Sequence, residues 1–333
     1  MRRLLAAAIA GVLAAAGAPA AADASHAGPK RPLTGIGIRL VDVPTATADD
    51  PRARTYIIDN LSPGSVIERR VQVINGTGSS ATVSVYPAAA SIEHGDFVGA
   101  RGHTENELSM WTSTNPRTLV LQSRARSFVH VRIDVPADAA PGERYGVVWA
   151  EATTLPQTPG GVREISRVGI RLYLSIGQGG PPASDFEIMS MTPARDTDDA
   201  PIVTADIRNT GGRALDLSGW LTLTDGPGGL SAGPFPITLG TTLGIGQTEP
   251  VTVPLDDQIP DGPWRATLTV QSGLTKRTAQ ATVTFPAGPG VGATAPTSIG
   301  TGVSRWLIAA GVAAVMLLLV GLVRYALPRL RTA

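Results

Sequence analysis

Gly229, Ser231 and Gly233 match the G-x-S-x-G pattern that presents a nucleophilic serine in many hydrolases. Such a serine needs a strand-to-helix turn to expose its hydroxyl and a histidine to take its proton. The pattern here lies in a run rich in glycine and proline, and no histidine follows it in the chain. We therefore interpret Ser231 as part of a loop between strands and predict no catalytic residues.

Histidines with nearby carboxylates are the candidate ligands for a metal ion. They are His26, His94, His103 and His130, together with Glu93, Asp96, Glu105 and Glu107. Their spacing matches neither a zinc site nor a calcium loop, and the chain has no cysteine. Alternation along its strand also turns His130 outward. We predict that the protein holds no metal ion and no cofactor.

Tryptophans are the remaining candidates for contact with a ligand. Trp149 and Trp264 fall on or beside alternating strands, which favours packing in a core. Trp111 lies in the polar segment 105–116, where a partly exposed indole could stack on a sugar ring or on a partner protein. A tryptophan that closes one end of a β-sandwich is an equally good interpretation. Trp111 is nevertheless the residue that we nominate for ligand binding.

Short strands must carry these residues. Apolar and polar residues alternate over 129–135 and over 168–176, which is typical of strands with one face towards a core. Further predicted strands are 36–43, 67–74, 82–86, 145–150, 203–207, 217–223, 251–255, 265–270 and 281–285. Glycine, proline, asparagine and aspartate separate them. The sequence predicts an all-β fold of immunoglobulin-like antiparallel β-sandwiches.

The chain also carries its own domain boundaries. Segment 71–86, with a turn at Asn75, resembles 203–223, with a turn at Asn209, and 129–150 resembles 251–270. We therefore predict two related domains, 23–176 and 185–285, joined by the Gly/Pro-rich linker 177–184. A Pro/Gly-rich stalk at 286–305 follows the second domain.

Both ends of the chain indicate export and anchoring. Arg2 and Arg3 precede an apolar run and small residues, which predicts a signal peptide over 1–22, cleaved after Ala22 or Ala24. Residues 306–327 are long and apolar enough for a transmembrane helix. The basic tail 328–333 is expected in the cytoplasm, which leaves the two domains outside the cell.

Charge excludes one class of partner. Five of the 28 basic residues are the terminal arginines Arg2, Arg3, Arg324, Arg329 and Arg331. The exported part then has 23 basic and 27 acidic residues, a net charge of −4 with histidine neutral. A protein that binds nucleic acid normally has a basic surplus, so we predict no nucleic-acid partner.

Segment 57–151 resembles the peptidoglycan-binding domain of the WxL-interacting proteins of Gram-positive bacteria. The resemblance lies in 61–90, with a Pro-Gly turn, a strand, an Asn-x-Thr turn and a second strand, and in 127–151. The order of signal peptide, two β domains, transmembrane helix and basic tail is similar too. The resemblance implies that the first domain associates with peptidoglycan.

Our leading hypothesis is a single-pass protein of the cell membrane, without enzyme activity, whose first domain binds peptidoglycan. The second domain is then a spacer or binds a partner such as another surface protein. The main alternative is a surface adaptor or adhesin that binds only proteins. An extracellular hydrolase is a more distant alternative, since two carboxylates in a cleft leave no local pattern in a sequence.

Overall fold

The computed structural model describes residues 35–154, 164–238 and 240–299. The predicted signal peptide, transmembrane helix and basic tail lie outside these residues, as do His26 and the end of the predicted stalk. Among the described residues, no helix is long and apolar enough to span a membrane. The prediction of an all-β fold is confirmed, because strands form both domains.

Two sheets form the first domain. Its elements are β1 Ile36–Leu40, β2 Ile57–Leu61, β3 Val66–Asn75, β4 Ala81–Glu93, β5 Asp96–Gly99, α1 Glu107–Trp111, β6 Thr112–Asn115, β7 Thr118–Leu121, β8 Arg126–Asp134, β9 Gly142–Thr154 and β10 Glu164–Ile176, with short 3-10 turns at Thr45–Thr47 and Pro51–Arg54. One sheet has the order β1-β3-β8-β6 and the other β2-β10-β9-β4-β5, while β7 pairs with β4. The chain changes sheet between β1 and β2, and β2 runs parallel to β10.

The second domain repeats this plan. Its elements are β11 Phe186–Arg195, β12 Pro201–Asn209, β13 Leu215–Asp216, β14 Ser218–Thr224, a 3-10 turn Pro227–Gly229, β15 Ala232–Pro236, β16 Thr242–Leu243, β17 Thr248–Pro254, β18 Gly262–Ser272, β19 Thr275–Phe285, β20 Gly290–Val291, β21 Ala295–Pro296 and β22 Ser298–Ile299. Its two larger sheets have the orders β17-β12-β11-β20 and β15-β14-β18-β19-β22.

Each domain encloses its own hydrophobic core. The first core draws its buried side chains from Ile36 to Ile176 and the second from Phe186 to Phe285. On β8, Val129, Val131 and Ile133 are buried as their alternation predicts. On β10, however, Tyr173 of the predicted outer face is also buried, because aromatic rings and the second domain cover it.

An asparagine ends strand β3 of the first domain, and an equivalent asparagine ends strand β12 of the second. Asn75 is fully buried, and its side-chain amide donates to the carbonyl oxygens of Ser79, Leu121 and Gln122. The equivalent Asn209 donates to the carbonyl oxygens of Arg213 and Leu243. Each buried amide thus joins the turn that follows it to a segment distant in sequence. The two turns seen in the sequence therefore have one structural role.

The first part of the predicted stalk is not a free linker. Strands β20 and β21 pair with β11, and β22 pairs with β19. The hydroxyl of Thr297 donates to the carbonyl oxygen of Ile188 at 2.5 Å. Residues 290–299 therefore add strands to the second domain, which corrects the predicted boundary between that domain and the stalk.

A polar joint, centred on Asp216, connects the two domains. The Asp216 carboxylate accepts hydrogen bonds from Arg52 at 2.8 Å and from Arg171, Tyr173 and Thr242, each at 2.9 Å. Three of these donors belong to the first domain, whereas Thr242 lies opposite Asp216 in the β13–β16 pair. Arg52 is buried and also stacks on the Tyr173 ring, with its guanidinium 4.9 Å from the ring centroid.

Two further contacts cross the joint. The Glu143 carboxylate accepts a hydrogen bond from the backbone amide of Ala214 at 2.6 Å and another from the Tyr145 hydroxyl at 2.7 Å. The Thr242 amide donates to the carbonyl oxygen of Gly95 at 2.6 Å. Strand β9 and the β4–β5 turn therefore both contact the second domain.

We predict that Asp216→Ala strongly destabilises the two-domain unit, because it leaves buried Arg52 without the carboxylate that pairs with it. Removing one partner of a buried ion pair costs about 3–5 kcal/mol. Asp134→Ala is the matched control, since Asp134 and Arg132 form an exposed pair that is worth at most about 1 kcal/mol. Chemical denaturation of residues 23–305 measures both effects. Equal losses in the two variants would contradict the proposed weight of the joint.

Glu143→Gln should stabilise the protein at neutral pH. Burial raises the pKa of the Glu143 carboxyl despite the hydrogen bonds from Tyr145 and Ala214. A carboxyl with a raised pKa destabilises the folded state as pH rises through that pKa, and this cost is absent below the unfolded value. Glutamine retains an acceptor oxygen without the charge.

We therefore expect Glu143→Gln to melt at a higher temperature than the wild type at pH 7, and the difference to shrink towards pH ~4. The exposed Glu187 supplies a control, Glu187→Gln, which makes the same chemical change away from the joint. A lower melting temperature for Glu143→Gln at pH 7 would show that the charge itself stabilises the joint.

Candidate functional site

Ser231 lies in a setting unlike that of a catalytic serine. It is exposed between the 3-10 turn Pro227–Gly229 and strand β15. A strand rather than a helix follows it, so the geometry that would present a nucleophile is missing. The G-x-S-x-G pattern is therefore part of a loop between strands.

The three described histidines lie in three different settings. His94 has a positive φ of 49° in the turn between β4 and β5. His130 pairs with Glu68 on the exposed face of β8. His103 stacks on Tyr86, with ring centroids 4.0 Å apart. Within the described residues, no three histidine, aspartate or glutamate side chains are grouped as they would be around a metal ion.

Tryptophans occupy several environments. Trp264 is buried in the second core, whereas Trp149 is half-buried on the outer face of β9. Trp111, our nominated ligand contact, is also half-buried and packs against the first core. The Arg144 guanidinium lies 6.0 Å from the centroid of the Trp111 ring. Arg144 also forms an ion pair with Glu107, which lies one helical turn before Trp111. Trp111 is thus partly covered by the core and by Arg144, and its role in ligand binding stays a prediction.

A cleft opens beside helix α1, and Trp111 is not among the residues that line it. This α1 cleft has a volume of about 270 Å³. Its walls come from β4, from the loop before α1, from α1 itself and from β6 with the turn that follows it. The lining residues are Tyr86, Pro87, His103, Glu105, Ser109, Met110, Thr112, Ser113, Thr114 and Arg117.

Backbone hydrogen bonds fix the loop that carries His103 and Glu105. The Ala89 amide donates to Thr104, and the Ala100 amide donates to Ala89, both at 2.8 Å. The Trp149 indole nitrogen donates to the carbonyl oxygen of Ala100 at 2.9 Å. The loop therefore lies along β4 with both of its ends attached to the sheet.

Helix α1 is short, and side chains rather than length hold it in place. Asn106 and Ser109 form a capping box, in which each side chain bonds the backbone amide of the other at 2.9 and 2.7 Å. The Asn106 amide group also donates to the carbonyl oxygen of Tyr145 on β9. Leu108 is fully buried in the first core. Met110 is consequently directed outward, with 62% of its surface exposed.

A second polar network supports the floor of the cleft. The Tyr86 hydroxyl donates to Glu151 at 2.6 Å, and Arg167 donates to the same carboxylate at 2.9 Å. Burial and the bond to Glu151 raise the pKa of Tyr86 to about 12, so its hydroxyl stays protonated and remains a donor. The Arg167 guanidinium in turn stacks over Trp149 at 5.3 Å.

Four side chains around the cleft are left for a ligand. His103, Glu105, Met110 and Arg117 are all exposed. Across the part of the chain that the structure describes, none of them has a side-chain hydrogen bond or ion pair, although His103 stacks on Tyr86. A rigid wall that carries unpaired polar groups is suited to binding a ligand.

Sequence comparisons do not assign the chain. No family model matches it, and no curated protein matches it significantly. One similar solved structure is the Salmonella enterica SafA pilin in complex with the SafB chaperone. Its sequence identity is 11% over 74% of this chain and 96% of that one, and its TM-score is 0.38. The Pseudomonas aeruginosa CupB2 chaperone has 10% identity over 68% and 96%, with a TM-score of 0.37.

A third similar structure is the CsuC–CsuE chaperone-tip adhesion subunit complex from the pili of Acinetobacter baumannii. Identity is 12% over 69% of this chain and 96% of that one, and the TM-score is 0.35. All three TM-scores are below 0.5. The function of this chain is therefore inferred from its own residues.

We predict that Gly169→Ala loosens the wall of the cleft. A methyl group at Gly169 would lie 2.6 Å from ring and methyl carbons of Trp149 and Val147, so the indole that bonds Ala100 must move. Overpacking of this kind costs about 1–3 kcal/mol. Gly177→Ala is the control, because nothing lies within 4 Å of its added methyl group. Thermal unfolding that shows equal melting temperatures for the two variants would contradict this account.

Proposed function

We propose that the chain is a membrane-anchored surface protein of a bacterium whose first domain binds peptidoglycan. The α1 cleft is the observation that supports this most directly. It is a preformed, partly polar cleft in the domain that resembles the peptidoglycan-binding module of WxL-interacting proteins. Its exposed side chains have no hydrogen-bond or ion-pair partner among the described residues. Tyr86 and Ser109 behind them, by contrast, are hydrogen-bonded.

The proposed location follows from the two ends of the sequence. A signal peptide over 1–22 would export the chain, and a transmembrane helix over 306–327 would hold it in the membrane. Both segments lie outside the described residues. The basic tail favours a cytoplasmic C-terminus, with both β domains outside the cell.

The second domain is proposed to act as a spacer or as a site for a protein partner. Its link to the first domain runs through the carboxylate of Asp216, so the two domains are expected to work as one unit. We propose binding rather than catalysis as the role of the ectodomain. Ser231 has neither a histidine after it nor a helix to present it.

We expect the ectodomain, residues 23–305, to co-sediment with purified peptidoglycan sacculi. Both domains are kept, because separation at the linker would expose Arg52 and Asp216 of the joint. With a net charge of −4, its retention should persist as the Debye length falls from ~10 Å at 0.1 M salt to ~3 Å at 1 M.

Digestion of the sacculi with a muramidase before centrifugation is the control and should leave the protein in the supernatant. Retention that disappears at 1 M salt would indicate a merely ionic attachment. A protein that stays in the supernatant with intact sacculi would contradict the proposed function and favour an adaptor that binds only proteins.

A further inference from the structure

We propose that the α1 cleft recognises the peptide stem of peptidoglycan and not its glycan strand. This inference rests on the proposed function, since it names the part of the polymer that the first domain contacts. Three properties of the cleft lead to it: the charges at its rim, the kind of apolar surface that it exposes, and the rigidity of its walls.

Charges of both signs lie at the rim. Arg117 and Glu105 line the cleft, are exposed and have no ion-pair partner in the described segments. A guanidinium binds a carboxylate through paired, charge-assisted hydrogen bonds, and a carboxylate binds an ammonium group in the same way. Stem peptides carry free carboxylates and amino groups. The glycan strand offers hydroxyl and acetamide groups, which make little use of two opposite charges.

The apolar surface also suits a peptide better than a sugar. Sugar rings stack on broad, exposed aromatic faces, but only 5% of the Tyr86 surface is exposed because His103 covers it. Trp111 is packed against the core and does not line the cleft. The exposed apolar group is the flexible side chain of Met110, which adapts to small methyl groups such as those of alanine.

Internal hydrogen bonds hold the walls of the cleft, so little conformational entropy would be lost on binding. Thr112 donates to the carbonyl oxygen of Leu108 at 2.6 Å, and Thr114 donates to that of Val85 at 2.8 Å. The hydrogens of these two hydroxyls are therefore used within the wall and are not available as donors to a glycan. The side chains at the rim remain as the groups that can select a ligand.

Isothermal titration of the ectodomain, residues 23–305, tests the inference. The two ligands are a free stem tetrapeptide and the disaccharide of N-acetylglucosamine and N-acetylmuramic acid without peptide. We expect the peptide to bind and the disaccharide not to bind. Arg117→Gln and Glu105→Gln should each weaken peptide binding ~10-fold or more, because each removes a charge-assisted hydrogen bond.

Two matched controls separate the cleft from general charge effects. Arg208→Gln and Glu187→Gln make the same chemical changes at exposed positions of the second domain and should leave peptide binding within about twofold. Far-ultraviolet circular dichroism and melting temperatures check that every variant folds. Equal weakening in the controls would overturn the assignment to the cleft.

Sedimentation of the same proteins with sacculi distinguishes the two proposals. If the wild type sediments but binds only the disaccharide, or if both cleft variants bind peptide as the wild type does, the peptide-stem inference is wrong and the proposed function stands. If the wild type binds the peptide but does not sediment, the cleft remains a peptide site and the association with peptidoglycan is wrong. If it binds neither ligand and does not sediment, both proposals are wrong.

Discussion

The carboxylate of Asp216 is the constraint on which the arrangement of this protein depends. Taking a charge out of water is costly unless it is paired and hydrogen-bonded, and Asp216 meets this condition with donors from both domains. Arg52 and Tyr173 can satisfy it only when the first domain is folded and docked. The Gly/Pro-rich linker 177–184 therefore connects two domains whose contact is determined by these hydrogen bonds and ion pairs and not by the linker.

Sequence periodicity predicted the strands that have one face in a core and one in solvent. On β8 the pattern is regular because His130 and Arg132 alternate with buried valines and Ile133. The short β2 pairs in parallel along only its five residues, and polar β6 lies at a sheet edge, so neither has a clear alternation. In β11, a bulge between Ile188 and Ser190 shifts the pattern. Strands β2 and β6 depend on partners that are distant in sequence.

The candidate site was less predictable than the fold because it, too, is built from segments that are distant in sequence. Histidine and carboxylate spacing drew attention to His103 and Glu105, and in the structure both of them line the α1 cleft. Arg117 and Met110 match no motif, and only the return of the chain through α1 and β6 brings them beside Tyr86. Trp111 was singled out as an aromatic in a polar segment, yet Arg144 and the core cover it.

The segment between β4 and α1, which includes β5, connects the Asp216 joint to the α1 cleft. At one end, the Gly95 carbonyl oxygen accepts a hydrogen bond from Thr242, and Phe97 packs on Tyr173, with ring centroids 5.2 Å apart. At the other end, the same stretch places His103 over Tyr86 in the α1 cleft. Since strand and backbone hydrogen bonds connect these ends through β5 and Ala100, the second domain buttresses the segment that shapes the cleft. Under the proposed function, the second domain would thus support the proposed binding surface of the first domain through contacts that are polar and specific.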